Sequence, residues 1–198
     1  MSNFIFEDYL PDLTLCDKII YWYENDNWAI RSQEPGKSTK GVDEETKKST
    51  DISISPVDFY RAPLIPMYLD ELKIIVDKYI KLYPFAADTV EFGICEHEGV
   101  NVQRYLPGEG YYKWHFERGR GDYPINNRHL VWMTYLNDVE EGGGTEFLHQ
   151  EYSTTAKKGK TLVWPVDWTH THRGIVAPNE TKYIITGWLN FHPQQYQK

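Results

Sequence analysis

The sequence predicts a mainly β domain, a sandwich or barrel, with flanking helices packed on one side. Amphipathic helical spacing is confined to the first 83 residues. From residue 89 onward the chain becomes short runs rich in Val, Ile, Tyr, Trp and Thr, separated by Gly and Pro. The 198 residues contain no internal repeat, low-complexity block or long linker, which fits one domain.

Residues 13–25 place Leu15, Ile19, Ile20 and Tyr23 at helical spacing, behind a cap at Thr14 or Asp12. Residues 33–49 are rich in Gly, Ser, Thr, Lys and Glu and read as a mobile loop. Residues 51–55 alternate and read as an edge strand. Residues 62–83 form the strongest helix, with Leu64, Met67, Leu72, Ile75, Val76, Tyr79 and Leu82 in one apolar stripe. After Pro84, strands are expected at 89–95, 101–106, 129–137, 145–148, 160–164 and 182–191. Residues 1–88 are thus expected to be a helical buttress with a loop, and residues 89–198 the β core.

Bulk properties exclude several classes. A formal net charge of -8 argues against a nucleic-acid surface, which needs a basic stripe. The start, MSNFIFEDYL, lacks the basic region of a signal peptide, and no apolar run approaches the ~20 residues that span a bilayer. Two cysteines, Cys16 and Cys95, read as reduced and buried, so a cytoplasmic protein with no membrane partner is expected.

The chemistry concentrates around Trp114-His115-Phe116-Glu117. In an extended segment residues i and i+2 share a face, so His115 and Glu117 can present an imidazole and a carboxylate to one ion. The segment Trp168-Thr169-His170-Thr171-His172-Arg173-Gly174 supplies a third ligand, from either histidine. Two histidines and one carboxylate make the facial triad of non-haem Fe(II) oxygenases, which leaves positions open for a chelating cosubstrate and O₂. Zn²⁺ accepts the same ligands. A zinc hydrolase would need a general base, and none is evident nearby.

Five motifs, in order, resemble the prolyl 4-hydroxylase family. They are Arg104-Tyr105-Leu106-Pro107-Gly108 leading to Tyr111, Tyr112 and His115; Arg128 with the run from Met133 to Phe147; Lys158-Gly159-Lys160-Thr161-Leu162-Val163-Trp164; His172-Arg173-Gly174 with Val176; and Lys182-Tyr183 with Trp188. The basic residue Lys182 stands ten positions after His172, as the family spacing requires, and this selects His172 over His170. The resemblance implies a double-stranded β-helix (jelly-roll) core. It also implies Fe(II), 2-oxoglutarate and O₂, with ascorbate as reductant, and hydroxylation of a peptidyl or small-molecule substrate coupled to decarboxylation of 2-oxoglutarate to succinate and CO₂. His115, Glu117 and His172 are then the metal ligands and catalytic centre. Lys182, with hydroxyls from Tyr105 and Thr145, is expected to hold the distal carboxylate of 2-oxoglutarate, because a charge-assisted bond to a carboxylate outweighs a neutral one. Arg128, Trp188 and either Tyr111 or Tyr112 are expected to face substrate.

Two departures stand out. Glu117 occupies the position where the family usually has Asp, and Gly144 precedes Thr145 where Glu is usual. Retention of a carboxylate at 117 argues against a halogenase, which opens that position for chloride. Retention of all three ligands argues against a catalytically silent binding module.

Overall fold

A computed structural model describes residues 2–38, 41–88, 91–119 and 123–191. The elements are β1 (Phe6–Tyr9), α1 (Thr14–Asn25), α2 (Asn27–Arg31), β2 (Glu34–Pro35), β3 (Lys47–Lys48), β4 (Thr50–Ile54), α3 (Leu64–Leu82), β5 (Phe92–Ile94), β6 (Val100–Tyr105), β7 (Gly110–Tyr111), β8 (Arg128–Tyr135), β9 (Thr145–Phe147), β10 (Tyr152–Thr154), β11 (Lys160–Pro165), β12 (His172–Gly174) and β13 (Lys182–Phe191). The major sheet runs β1-β11-β8-β13-β6-β4-β2, with β5 also on β13. A smaller sheet, β10-β9-β12, lies beside it, and β3 pairs with β7. Two sheets with helices on one side is the mainly β arrangement that the sequence predicts.

Alternation along the major strands sorts side chains between two compartments. In β13, Tyr183, Ile185 and Leu189 join a core with Ile52, Ile54, Val100, Val102, Trp132 and Val163. That core is completed by Ile19 and Tyr23 of α1 and by Ile65, Tyr68, Leu72 and Ile75 of α3. The intervening residues Lys182, Ile184, Thr186 and Trp188 line a cavity on the opposite face. A buried hydroxyl chain joins helix to sheet: Tyr68 Oη bonds Thr134 Oγ1 at 2.6 Å, and Thr134 bonds Thr161 Oγ1 at 2.6 Å.

The first 88 residues do more than buttress. β1 pairs antiparallel with β11, and β4 with β6, so both extend the major sheet. β1 escaped sequence reading because Glu7 and Asp8 interrupt its apolar pattern, and β4 is flanked on both sides rather than lying at an edge. The helix α2 was likewise missed; the Asp26 carboxylate caps it by accepting from the Trp28 and Ala29 amides. For α1 the cap is Leu13, which makes no side-chain bond, while Asp12 accepts the Thr14 amide proton at 2.9 Å. Thr89 and Val90, at the start of one expected strand, lie outside the described residues, as do residues 39–40 of the expected loop and residues 120–122. Within the expected loop at 33–49, Lys47 is buried against Asp51 at 2.5 Å, and β3 fastens it to β7. Both cysteines are buried and free.

Gly144 has a steric reason. A Cβ there would stand 1.9 Å from the Thr154 carbonyl oxygen, because the chain entering β9 passes against the end of β10. The Glu usual in the resembling family would not fit this backbone. Gly144→Ala should destabilise the protein by at least ~1–3 kcal/mol, the ordinary cost of overpacking, read as a lowered denaturation midpoint in urea.

Candidate metal centre

His115 and His172 face one another across an isolated antiparallel bridge: each donates its backbone N–H to the other's carbonyl, at 3.0 and 2.9 Å. The bridge joins β12 to the segment after β7, and Glu117 is tied to the same place by its amide bond to the Val166 carbonyl at 3.0 Å. The two imidazole Nε2 atoms lie 3.4 and 3.5 Å from Glu117 Oε1. One ligand atom from each residue falls within 4.8 Å of the others, the geometry of a three-ligand metal site.

Both imidazoles are set in the metal-binding tautomer. His115 Nδ1 faces the Lys113 carbonyl at 3.0 Å and His172 Nδ1 the His170 carbonyl at 2.9 Å. A carbonyl only accepts, so each Nδ1 carries the proton and each Nε2 keeps its lone pair for an ion. Burial, together with the neighbouring His115, pushes the His172 pKa down and keeps its ring neutral.

His170 is excluded as a ligand. Its Nε2 lies 3.0 Å from the Asn3 carbonyl and its Nδ1 bonds the Thr169 hydroxyl at 3.1 Å, so both ring nitrogens are engaged elsewhere.

The triad opens into a cavity of about 710 Å³ that Lys182, Tyr105 and Thr145 also line. Lys182 is only 4% exposed, and its Nζ lies 4.7 Å from the centre of the Tyr105 ring. Among the described residues it has no carboxylate partner. Burial pushes its pKa down from 10.5 to about 8. A buried, uncompensated ammonium is costly, and an anion entering the cavity relieves that cost. The Thr145 hydroxyl bonds Tyr135 Oη at 2.7 Å, and Tyr105 Oη donates to Gln103 Oε1 at 2.7 Å, so both hydroxyls are oriented by neighbours.

The three residues expected to face substrate also line the cavity, but each is engaged with the triad. Tyr111 stacks on the His115 ring, centroids 3.6 Å apart and planes at 12°. Tyr112 instead bonds the Gly108 carbonyl, which separates two tyrosines that spacing could not tell apart. Trp188 Nε1 donates to Glu117 Oε2 at 3.1 Å, and Arg128 Nη1 reaches the same oxygen at 3.3 Å. The guanidinium carbon of Arg128 sits 3.5 Å over the Trp188 ring and is paired on its other side with Glu98. Glu98 went unnoticed in the sequence because it lies in a turn, where no periodic signal marks it.

Two imidazoles and one carboxylate make a three-ligand set of the kind that holds the metal in non-haem Fe(II) oxygenases. The model of the 2OG-Fe(II) oxygenase superfamily matches residues 100–190, which hold all three ligands and Lys182. Over those residues the chain is similar to that superfamily, and it is prolyl 4-hydroxylase-like by its distant relatives and structural neighbours. The prolyl 4-hydroxylase subunit alpha-1 of Gallus gallus is 27% identical over 125 residues, covering 56% of this chain and 24% of the relative. The chain therefore matches about a quarter of the length of such curated relatives. Among solved structures, the viral collagen prolyl hydroxylase of Paramecium Bursaria Chlorella virus-1 in its 2OG complex superposes with a TM-score of 0.65 at 22% identity, covering 94% of this chain and 95% of that one. A prolyl hydroxylase of Trichoplax adhaerens, in complex with a hypoxia inducible factor oxygen degradation domain peptide fragment, gives 0.72 at 16% identity, covering 96% and 84%. These likenesses show the double-stranded β-helix fold.

Lys182 provides a test of the cavity's electrostatics. Its folded pKa lies below the unfolded value, so the unfolded chain binds that proton more tightly between pH 8 and 10.5. The penalty is full below pH 8 and disappears as pH rises through 10.5. Lys182→Met should therefore raise stability at neutral pH by roughly 3 kcal/mol, and that gain should shrink between pH 8 and 10.5 in urea melts of both proteins.

Proposed function

We propose that this protein is an Fe(II)- and 2-oxoglutarate-dependent hydroxylase acting on a peptidyl or small-molecule substrate. The observation that carries the reading is one cavity holding both a His-x-Glu…His triad and a buried lysine with no carboxylate partner among the described residues. A three-ligand metal alone also suits hydrolysis. The unpaired cation beside it needs an anionic ligand, and a 2-oxo acid with a distal carboxylate satisfies both features at once.

In this reading His115, Glu117 and His172 would hold Fe(II), and the ion and 2-oxoglutarate would together supply the electrons that activate O₂, 2-oxoglutarate being oxidised to succinate and CO₂. The chain's own residues prepare that chemistry. The Lys113 and His170 carbonyls fix both imidazoles, and Trp188 and Arg128 take Glu117 Oε2, leaving Oε1 toward the histidines. Lys182 holds the distal carboxylate, assisted by the neighbouring Tyr105 and Thr145. The low exposure of Lys182 and His172 keeps bulk water off that end of the cavity and strengthens the pairing. Ascorbate is a typical reductant of the family. A volume of about 710 Å³ exceeds what a five-carbon cosubstrate fills and leaves room for a substrate segment. The peptide bound by the Trichoplax neighbour supports a peptidyl substrate here.

The test is succinate formation from 2-oxoglutarate in air, with Fe(II) and ascorbate, followed by mass spectrometry, which also reports a gain of one oxygen on candidate peptides. His172→Ala should abolish Fe(II) binding and succinate formation. His170→Ala should retain both, because the His172 ring is held by the backbone carbonyl of residue 170 and not by its side chain. Loss in His170→Ala with retention in His172→Ala would overturn the ligand assignment. Absence of succinate from the wild-type protein under these conditions would overturn the oxygenase reading.

A further inference from the structure

We infer that Glu98 is a positioning residue for the metal centre, acting through Arg128 to keep Glu117 aimed at the ion and not tied up by the guanidinium. The inference rests on the reading of His115, Glu117 and His172 as metal ligands and concerns a residue outside that set.

The turn between β5 and β6 delivers Glu98. The Glu98 and Gly99 amides both bond the Cys95 carbonyl, at 3.2 and 2.9 Å. Gly99 has φ +62°, and a Cβ on it would stand 2.0 Å from the Ile54 carbonyl oxygen, so only glycine permits this turn against β4. The Glu98 side chain is 8% exposed, far from the usual state of a glutamate in a turn. Its Oε1 accepts from Arg128 Nε at 2.8 Å and from Arg128 Nη2. Its Oε2 accepts from Asn190 Nδ2 at 2.8 Å. The register of β13 against β8 shifts between Leu189 and Asn190, a bulge that re-aims a side chain, and Asn190 is the residue beyond it.

This arrangement divides the Arg128 fork. Nε and Nη2 are taken by Glu98, and Nη1 alone reaches Glu117, at 2.8 Å to its carbonyl and 3.3 Å to Oε2. Glu98, Arg128 and Glu117 together carry one negative charge. Without the Glu98 charge, Arg128 and Glu117 would neutralise each other, and the guanidinium would compete with the ion for the only anionic ligand. The second effect is geometric. Glutamate has one more rotatable bond than aspartate, and fixing it needs more contacts. Arg128, clamped by Glu98 on one side and stacked on Trp188 at 3.5 Å, fixes the Oε2 end, so that Oε1 alone faces the two imidazoles.

The experiment is titration of the full-length, metal-free protein with Mn²⁺, followed by electron paramagnetic resonance without 2-oxoglutarate or O₂. Glu98→Gln keeps the shape and removes the charge; it should weaken Mn²⁺ binding roughly 10- to 100-fold while the melting temperature of the metal-free protein stays near that of the wild type. Glu98→Asp keeps the charge but shortens the arm; it should weaken binding by a smaller, still measurable factor. It carries the test alone if Glu98→Gln does not fold. The visible spectrum of the Co²⁺-substituted variants should also change, since the position of Glu117 is altered, which general destabilisation would not produce. Mn²⁺ affinity in both variants within about twofold of wild type, or an unchanged Co²⁺ spectrum, would overturn the inference. A wild-type protein that binds no Mn²⁺ would instead overturn the metal-centre reading on which it rests.

Discussion

An ammonium group inside a protein is tolerated only if something repays its lost hydration, and strand β13 places Lys182 where no carboxylate within the described chain does so. The same strand, in the middle of the major sheet, turns Ile185 and Leu189 into the helix-backed core. Because side chains alternate with a period of two, one set of apolar residues locks the register that holds the other set against the cavity. A slip by one residue would bury Lys182 among hydrocarbon and expose Ile185. Folding stability and site geometry are thus tied to one strand, and the unpaired charge is a cost the core must carry until an anionic ligand arrives.

Around the metal centre, backbone groups do much of the positioning. The two histidines pair through their own amides and carbonyls, and each ring is aimed by a carbonyl two residues earlier in the chain. Because those carbonyls belong to the backbone of the β framework, the imidazoles are oriented before any ion binds, which limits the reorganisation that binding requires. Glu117 is the exception. It depends on side chains, Trp188 and Arg128, and through Arg128 on Glu98 in a turn some twenty residues earlier.

The parts legible in the sequence were those carried by short-range pattern. The apolar stripe of α3, the strand at 182–191, and the pairing of His115 with Glu117 at i and i+2 each follow from local pattern. Residue types and spacing left His170 and His172 open; the family spacing chose between them, and the Asn3 and Thr169 bonds of His170 give the physical reason. What stayed hidden depends on distant partners. β1 forms because β11 offers it an edge, although FEDY has little strand pattern of its own. Arg128 and Trp188 line the cavity, as a substrate role requires, but nothing local reveals that both also hold Glu117. Tyr111 was indistinguishable from Tyr112 until the fold stacked one of them on His115.

The central claim, that Lys182 is the cation awaiting a dicarboxylate beside the iron site, is tested most directly by anaerobic titration of the Fe(II)-loaded protein with 2-oxoglutarate at several pH values. The visible absorption band that chelation produces reports binding. With the free-protein pKa near 8, the apparent affinity should be level below that pH and fall about tenfold for each further pH unit, as the ammonium loses its proton. In Lys182→Ala the binding should be weaker at neutral pH by roughly a hundredfold or more and should lack this dependence. An affinity that Lys182→Ala leaves unchanged, with no fall above pH 8 in the wild type, would contradict the account.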